Sequence, residues 1–182
     1  MTIKKFFVVT AVLLNTAASA CSTIQVGAST PEYVRFLDTS AFSTIYPAEW
    51  KAEIFDKGII VFAPPELVDG GELAASVTVY RDAPAASEET DAELLDHFLS
   101  AGPVRGEYSL LSPIEDTMVD GIPGLEVEIG SGDQAAGLHG RIEMVQLDNG
   151  AVYYFTALAP ADSWEEDWML IEPIIRQVEF TE

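Results

Sequence analysis

The chain holds 182 residues, with 30 Asp or Glu against 9 Lys or Arg, a formal charge of −21 and a length that suits one domain. Such a polyanion is repelled by phosphate backbones and by anionic lipid surfaces, which excludes nucleic acid as a partner. A 48% apolar content that includes 18 Phe, Tyr and Trp is far above that of a disordered acidic tail, and one Cys rules out an intramolecular disulfide.

The chain opens on an export signal. Lys4 and Lys5 precede an apolar run, Phe6 to Leu14, too short to span a bilayer, and the small residues Ala17-Ala18-Ser19-Ala20 follow. Cys21 stands directly after them, as in the lipobox of bacterial lipoproteins, where that Cys is lipidated and becomes the new N-terminus; the departure is Ala18, where the pattern prefers Leu. Ala18-Ser19-Ala20 also fits ordinary signal cleavage, which would give a soluble secreted protein instead. Removing residues 1–20 leaves 7 basic against 30 acidic residues, a charge of −23. Residues 21–32 then form a small, polar spacer, and residues 33–182 a single extracytoplasmic domain.

Within that domain short apolar runs alternate with turn signals. Phe42 to Tyr46 stops at Pro47, Trp50 to Phe55 stops at Asp56-Lys57-Gly58, Ile59 to Phe62 stops at Pro64-Pro65, and Val77 to Tyr80 stops before Asp82-Ala83-Pro84. Thr90-Asp91-Ala92-Glu93 is a capping box introducing a helix with Leu94, Leu95, Phe98 and Leu99 on one side, ending before Gly102-Pro103. Leu125 to Ile129 has period two after a turn at Asp120-Gly121-Ile122-Pro123-Gly124, which sends Leu125, Val127 and Ile129 to a core. Runs at 141–147 and 152–158 flank Asp148-Asn149-Gly150, and Asn-Gly accepts the positive φ angles of a hairpin turn. A second helix runs from Asp162 or Ser163 to about Val178, with Trp164, Trp168, Ile171, Ile175 and Val178 at helical spacing and a kink or restart expected at Pro173. The expected class is α+β, an α/β/α sandwich with a central antiparallel sheet.

Phe42-Ser43-x-x-Tyr46-Pro47-x-x-Trp50 resembles the opening strand of PsbP-like proteins, relatives of the extrinsic subunit of photosystem II. So does the closing order of Asp148 to Tyr154, Ala157 to Asp162, a last helix and Val178-Glu179-Phe180, with the Asp120-to-Gly124 turn between. The resemblance spans about residues 41–181 and rests on structural motifs. It implies the same sandwich and, for that family, non-enzymatic accessory roles at membranes. The chain departs from the photosynthetic members in having few basic residues.

Catalytic motifs are missing. His97 falls on the first helix and reads as a surface histidine; His139, at a loop-to-strand junction, has no Ser or Asp at a recognisable spacing. The acidic clusters Asp69-Gly70-Gly71-Glu72, Glu88-Glu89-Thr90-Asp91, Glu115-Asp116 and Glu165-Glu166-Asp167 match no EF-hand loop and read as solvated faces and helix N-terminal charge. Trp164 and Trp168 read as core, and Ser131 to Gly137 as a long hairpin connection offering variable binding surface. No catalytic, cofactor-binding or metal-binding residue is assigned, and the one site residue is Cys21, for lipidation. Two functions follow as expectations: an accessory lipoprotein that binds an unidentified envelope or membrane protein, or a carrier or sensor holding a small ligand between sheet and helix.

Overall fold

A computed structural model describes residues 30–38, 41–55, 58–68, 74–82, 89–101, 108–131 and 137–181. The signal segment, Cys21, the spacer up to residue 29, Asp69 to Glu72, Glu88 and residues 132–136 lie outside the described residues.

Pro31–Glu182 form one unit. Its elements are β1 (Tyr33–Leu37), β2 (Phe42–Pro47), β3 (Lys51–Phe55), β4 (Ile59–Ala63), a single-turn α1 (Pro65–Val68), β5 (Ser76–Asp82) and α2 (Asp91–Ala101). There follow β6 (Ser109–Leu110), β7 (Glu115–Val119), β8 (Ile122–Ser131), β9 (Leu138–Gln146), β10 (Val152–Pro160), α3 (Trp164–Arg176) and β11 (Glu179–Phe180). Eight strands build an antiparallel sheet in the order β3-β4-β5-β10-β9-β8, with β6 and β7 sharing the outer edge of β8. A smaller sheet, β1-β2-β11, packs on one face of the large one beside α3, and α2 covers the other.

The strand period sorts the side chains between two cores. Ile60, Phe62, Val77, Val79, Tyr153 and Phe155 point toward the small sheet and α3, whose Phe42 and Ile171 are fully buried there. Val127, Ile129, Ile142, Met144 and Tyr154 point the other way, against Leu94, Leu95 and Phe98 of α2, and Leu125 is partly buried beside them. The Phe98 and Tyr154 rings stack there 4.0 Å apart, and the Tyr154 hydroxyl donates to the Leu94 carbonyl at 3.3 Å. At the start of α2 the reciprocal capping bonds form: Glu93 N donates to Thr90 Oγ1 at 3.3 Å, and Thr90 N to Glu93 Oε2 at 2.9 Å.

Three local expectations change. The turn before β8 is only Asp120-Gly121, both at positive φ (52° and 74°), so Ile122, Pro123 and Gly124 already belong to the strand. Pro123 is accommodated because it faces Met118 of β7 while pairing with β9 begins one residue later, at Gly124. In the β9–β10 hairpin only Gly150 takes a positive φ (83°); Gly150 N donates to the Leu147 carbonyl and Leu147 N to that of Ala151, a three-residue loop closed by a bulge. Helix α3 runs through Pro173 without restarting. The Met169 carbonyl that Pro173 cannot serve accepts the Tyr33 hydroxyl of β1 at 3.4 Å. β1, α1, β6, β7 and β11 were not foreseen as separate elements, and Glu115-Asp116, read as an acidic pair, opens edge strand β7.

Candidate functional site

Under α3, on the face of the large sheet opposite α2, the strands present charge instead of hydrocarbon. Register places Ala159, His139, Gly130 and Ser109 in one row across β10, β9, β8 and β6; the next row holds Ala157, Arg141 and Glu128; the third holds Phe155, Glu143, Glu126 and Glu115. Glu143 and Glu126 thus stand directly opposite, a like-charge cross-strand pair that is unfavourable by itself. Arg176, from the last turn of α3, resolves it: it grips fully buried Glu143 through Nη1 (2.6 Å) and Nη2 (3.0 Å) and lies 3.7 Å from Glu126. Thr117 of β7 adds a hydroxyl bond to Glu143 at 3.3 Å.

The ladder continues upward. Arg141 donates to Glu128 at 2.8 Å and lies 3.8 Å from Glu126, and His139 Nε2 sits 3.4 Å from the other Glu128 oxygen. Two tryptophans of α3, four residues apart and therefore on one helix face, interleave with these groups. Trp164 stacks on His139 (4.4 Å, 10° between planes), Trp168 lies 5.3 Å from Trp164, and the Arg141 guanidinium lies over Trp168 at 4.5 Å. The Arg141 hydrogen bond holds the Glu128 carboxyl below its ordinary range in spite of partial burial. Burial pushes Glu143 the other way, and the attraction of Arg176 only partly offsets it.

At its upper end the ladder opens into a cleft of about 440 Å³ lined by Ser109, Leu111, Gly130, Ser131, Leu138, His139 and Ala161. Of this row of the sheet, small Gly130 and Ser109 line the cleft together with the bulkier His139. The Leu111 side chain leans over Gly130, close enough that an added Cβ would meet its methyls at 2.9 Å. Leu111 is exposed at its rim, and the β6–β7 edge also exposes Leu110, Ile114 and, at the Pro123 end of β8, Met118. Although Ser109, Ser131 and His139 share the cleft, neither hydroxyl is hydrogen-bonded to the imidazole, and Ser109 Oγ donates to the Gly130 carbonyl instead.

His97 is exposed on α2 and meets no part of this region. Trp164 is buried as expected, while Trp168 is half-buried in the stack. Of the acidic clusters, Glu165, Glu166 and Asp167 occupy the first turn of α3, where Asp167 accepts the Ser163 hydroxyl at 2.6 Å. Among the described residues no three His, Cys, Asp or Glu side chains are grouped so as to hold a metal ion, and no helix is long and apolar enough to cross a membrane. Glu126, Glu128, Arg141, Glu143 and Arg176 were not singled out from the sequence. The available signal was the alternation Glu126-x-Glu128 and Arg141-x-Glu143 in a sheet expected to be covered on both faces.

The sequence matches no protein-family model and no curated protein. Solved structures do match. The cyanobacterial PsbP (CyanoP) of Synechocystis sp. PCC 6803 is 17% identical with a TM-score of 0.61 over 85% of this chain and 96% of that one. LpqN of Mycobacterium tuberculosis, described as involved in cell envelope biogenesis, is 12% identical with a TM-score of 0.53 over 86% and 88%. The Ran-binding protein Mog1p of Saccharomyces cerevisiae is 12% identical with a TM-score of 0.53 over 82% and 96%. The fold of this chain is therefore the PsbP-like one: an antiparallel sheet between one helix and a layer made of a second helix and a small sheet.

Proposed function

We propose that this chain is an extracytoplasmic accessory module, lipid-anchored through Cys21, that binds a protein of the cell envelope without catalysing a reaction. The observation that carries the reading is the β6–β7 edge, where Leu110, Leu111, Ile114 and Met118 stand exposed along one side of the large sheet. Large apolar side chains concentrated on one edge are costly to leave in water and suit a protein interface. The polar groups nearby are engaged in the ion-pair ladder rather than arranged around a nucleophile. Two proteins of the same fold, one tied to envelope biogenesis and one that binds Ran, are consistent with a binding role.

A photo-reactive amino acid placed at Met118, followed by irradiation of intact cells and mass spectrometry, tests the reading. A discrete protein adduct is expected. Absence of any protein adduct, together with a small molecule retained in native mass spectrometry, would replace it with the carrier reading, which has the volume of the cleft in its favour.

A further inference from the structure

We infer that a small cavity between the two sheets binds a free α-amino acid of the size of glycine or alanine, held by Tyr153, Arg81 and Asp38. The cavity, about 110 Å³, lies between the β1–β2 turn and strands β4, β5 and β10. Phe42, Ile60 and Val79, none more than 3% exposed, line it with hydrocarbon, and Asp38, Arg81 and Tyr153 are its polar members. Register puts the strand residues on one face. Tyr153 pairs with Arg81 and Phe155 with Val79 between β10 and β5, Ile60 pairs with Val79 between β4 and β5, and Phe42 packs on them from β2. Arg81 is exposed and Asp38 half-buried, so both stand on the solvent side of the cavity.

The Tyr153 hydroxyl points to a ligand. The residue is 1% exposed, yet among the described residues nothing forms a hydrogen bond with its oxygen. A buried phenol ordinarily finds a partner, and leaving one without is costly. Tyr154, the next residue of β10 and facing the other way, has one in the Leu94 carbonyl. Burial raises the Tyr153 pKa, Arg81 lowers it and Asp38 raises it, so the phenol stays a donor near neutral pH and both charges act on its oxygen. The Arg81 guanidinium lies over the Tyr153 ring, 5.7 Å from the centroid. A phenol O–H beside a guanidinium calls for a carboxylate, and the Asp38 carboxylate on the same cavity calls for an ammonium. Arg81 and Asp38 also interact within the protein, but a guanidinium has five donors and a carboxylate about four acceptor positions, so one partner exhausts neither. An α-amino acid carries both charges on one carbon, and its neutrality spares it the repulsion that a domain of charge −21 exerts on a simple carboxylate. Size sets the limit: a cavity of about 150 Å³ takes a benzene-sized molecule, so one of about 110 Å³ takes about five or six non-hydrogen atoms.

The test titrates L-alanine into the full chain in detergent micelles, read by calorimetry and by the NMR signals of Tyr153, Ile60 and Val79. Saturable binding with shifts at all three is expected. Propionate, which lacks the ammonium, and ethylamine, which lacks the carboxylate, should each bind at least about tenfold more weakly. Tyr153→Phe is the sharpest variant, because the hydroxyl bonds nothing in the protein: affinity should drop about tenfold while the urea midpoint does not fall. Asp38→Asn should remove the preference for alanine over propionate. No saturation by about 10 mM alanine, ten times a Kd of about 1 mM, would overturn the assignment. So would equal affinity for propionate or ethylamine, or unchanged affinity in Tyr153→Phe. A lower urea midpoint in Tyr153→Phe would show that the hydroxyl serves the fold, and would overturn it as well. The site is independent of the protein-binding reading, since the Met118 crosslink can succeed or fail without altering any of these results.

Discussion

Arg176→Met probes the ladder most directly, because it removes the cation from a fully buried carboxylate and leaves the hydrocarbon stem in place. Two charge-assisted bonds, at 2.6 and 3.0 Å, are lost, and Glu143 is left opposite Glu126 with the Thr117 hydroxyl bond and the more distant attraction of Arg141. Removing one partner of a buried pair costs about 3–5 kcal/mol; since Arg176 is 32% exposed and water reaches its rim, about 3 kcal/mol is expected near neutral pH. The deficit depends on pH with a definite sign. Burial already raises the Glu143 pKa from its ordinary 4.5, and losing Arg176 raises it further. A carboxyl whose folded pKa lies above its unfolded value contributes stability below the unfolded pKa and loses it as pH rises through the folded one. The gap between variant and parent in urea melts should therefore narrow from about pH 7.5 to about pH 5, as Glu143 takes up a proton. In the double variant Glu143→Leu/Arg176→Met most of the loss should be recovered, because no buried charge is stranded. A gap that is the same at both pH values, or a double variant no more stable than the single one, would refute this account of Glu143.

Further expectations concern other links of the chain. Trp164→Ala should cost about 3–5 kcal/mol, as truncation of a 93% buried ring does, and an unchanged urea midpoint would show that the ring does not support the fold. Gly124→Ala and Gly140→Ala drive a Cβ into backbone, at 2.1 Å from the Met144 carbonyl and 2.6 Å from that of Ala157, and should cost at least about 2 kcal/mol, whereas Gly130→Ala meets only the mobile Leu111 methyls and should cost under about 1 kcal/mol; equal thermal shifts would contradict the packing argument. The Tyr154 phenol, raised to about 12 by burial, should resist ionisation in an ultraviolet titration, with stability lost as pH climbs from the ordinary value of 10 toward 12; a normal titration curve in the folded protein would disprove its burial. Intact mass of the mature protein should show a chain starting at lipid-modified Cys21, and a mass without lipid, or one retaining Met1, would remove the anchor from the proposal.

What could be read from the residues alone was whatever repeats with a clear period and is apolar. Leu94, Leu95 and Phe98 on one side of α2, Val127 and Ile129 on one side of β8, and Trp164, Ile171 and Ile175 along α3 are all buried where their spacing put them. The ladder was not legible for the complementary reason. Period two divides β8 and β9 into two faces, and although a sandwich covers both, the charged residues Glu126, Glu128 and Glu143 are read as solvated unless a partner is known. That partner, Arg176, lies 33 residues beyond Glu143 and reaches it only through the docking of α3. β6 and β11, at two residues each, are too short to carry a period at all. The cleft was hidden because its floor is made by what is small, Gly130 and Ser109, paired side by side on two strands.

Strand β2 sits between the two extremities of the domain, paired with β1 on one side and with β11 on the other, so that Phe42 faces Phe180 and Ser43 meets Glu179, 136 residues later. A ribosome releases β2 well before β11, and throughout that interval one edge of β2 lacks the strand it bonds and Phe42 lacks part of its aromatic surroundings. The order of synthesis thus works against premature closure: contacts this distant in sequence are slow to form, and here the closing ones do not exist until β11 emerges. A domain made in this way stays open until β11 is made, and then closes with β1 and β11 on the same neighbour.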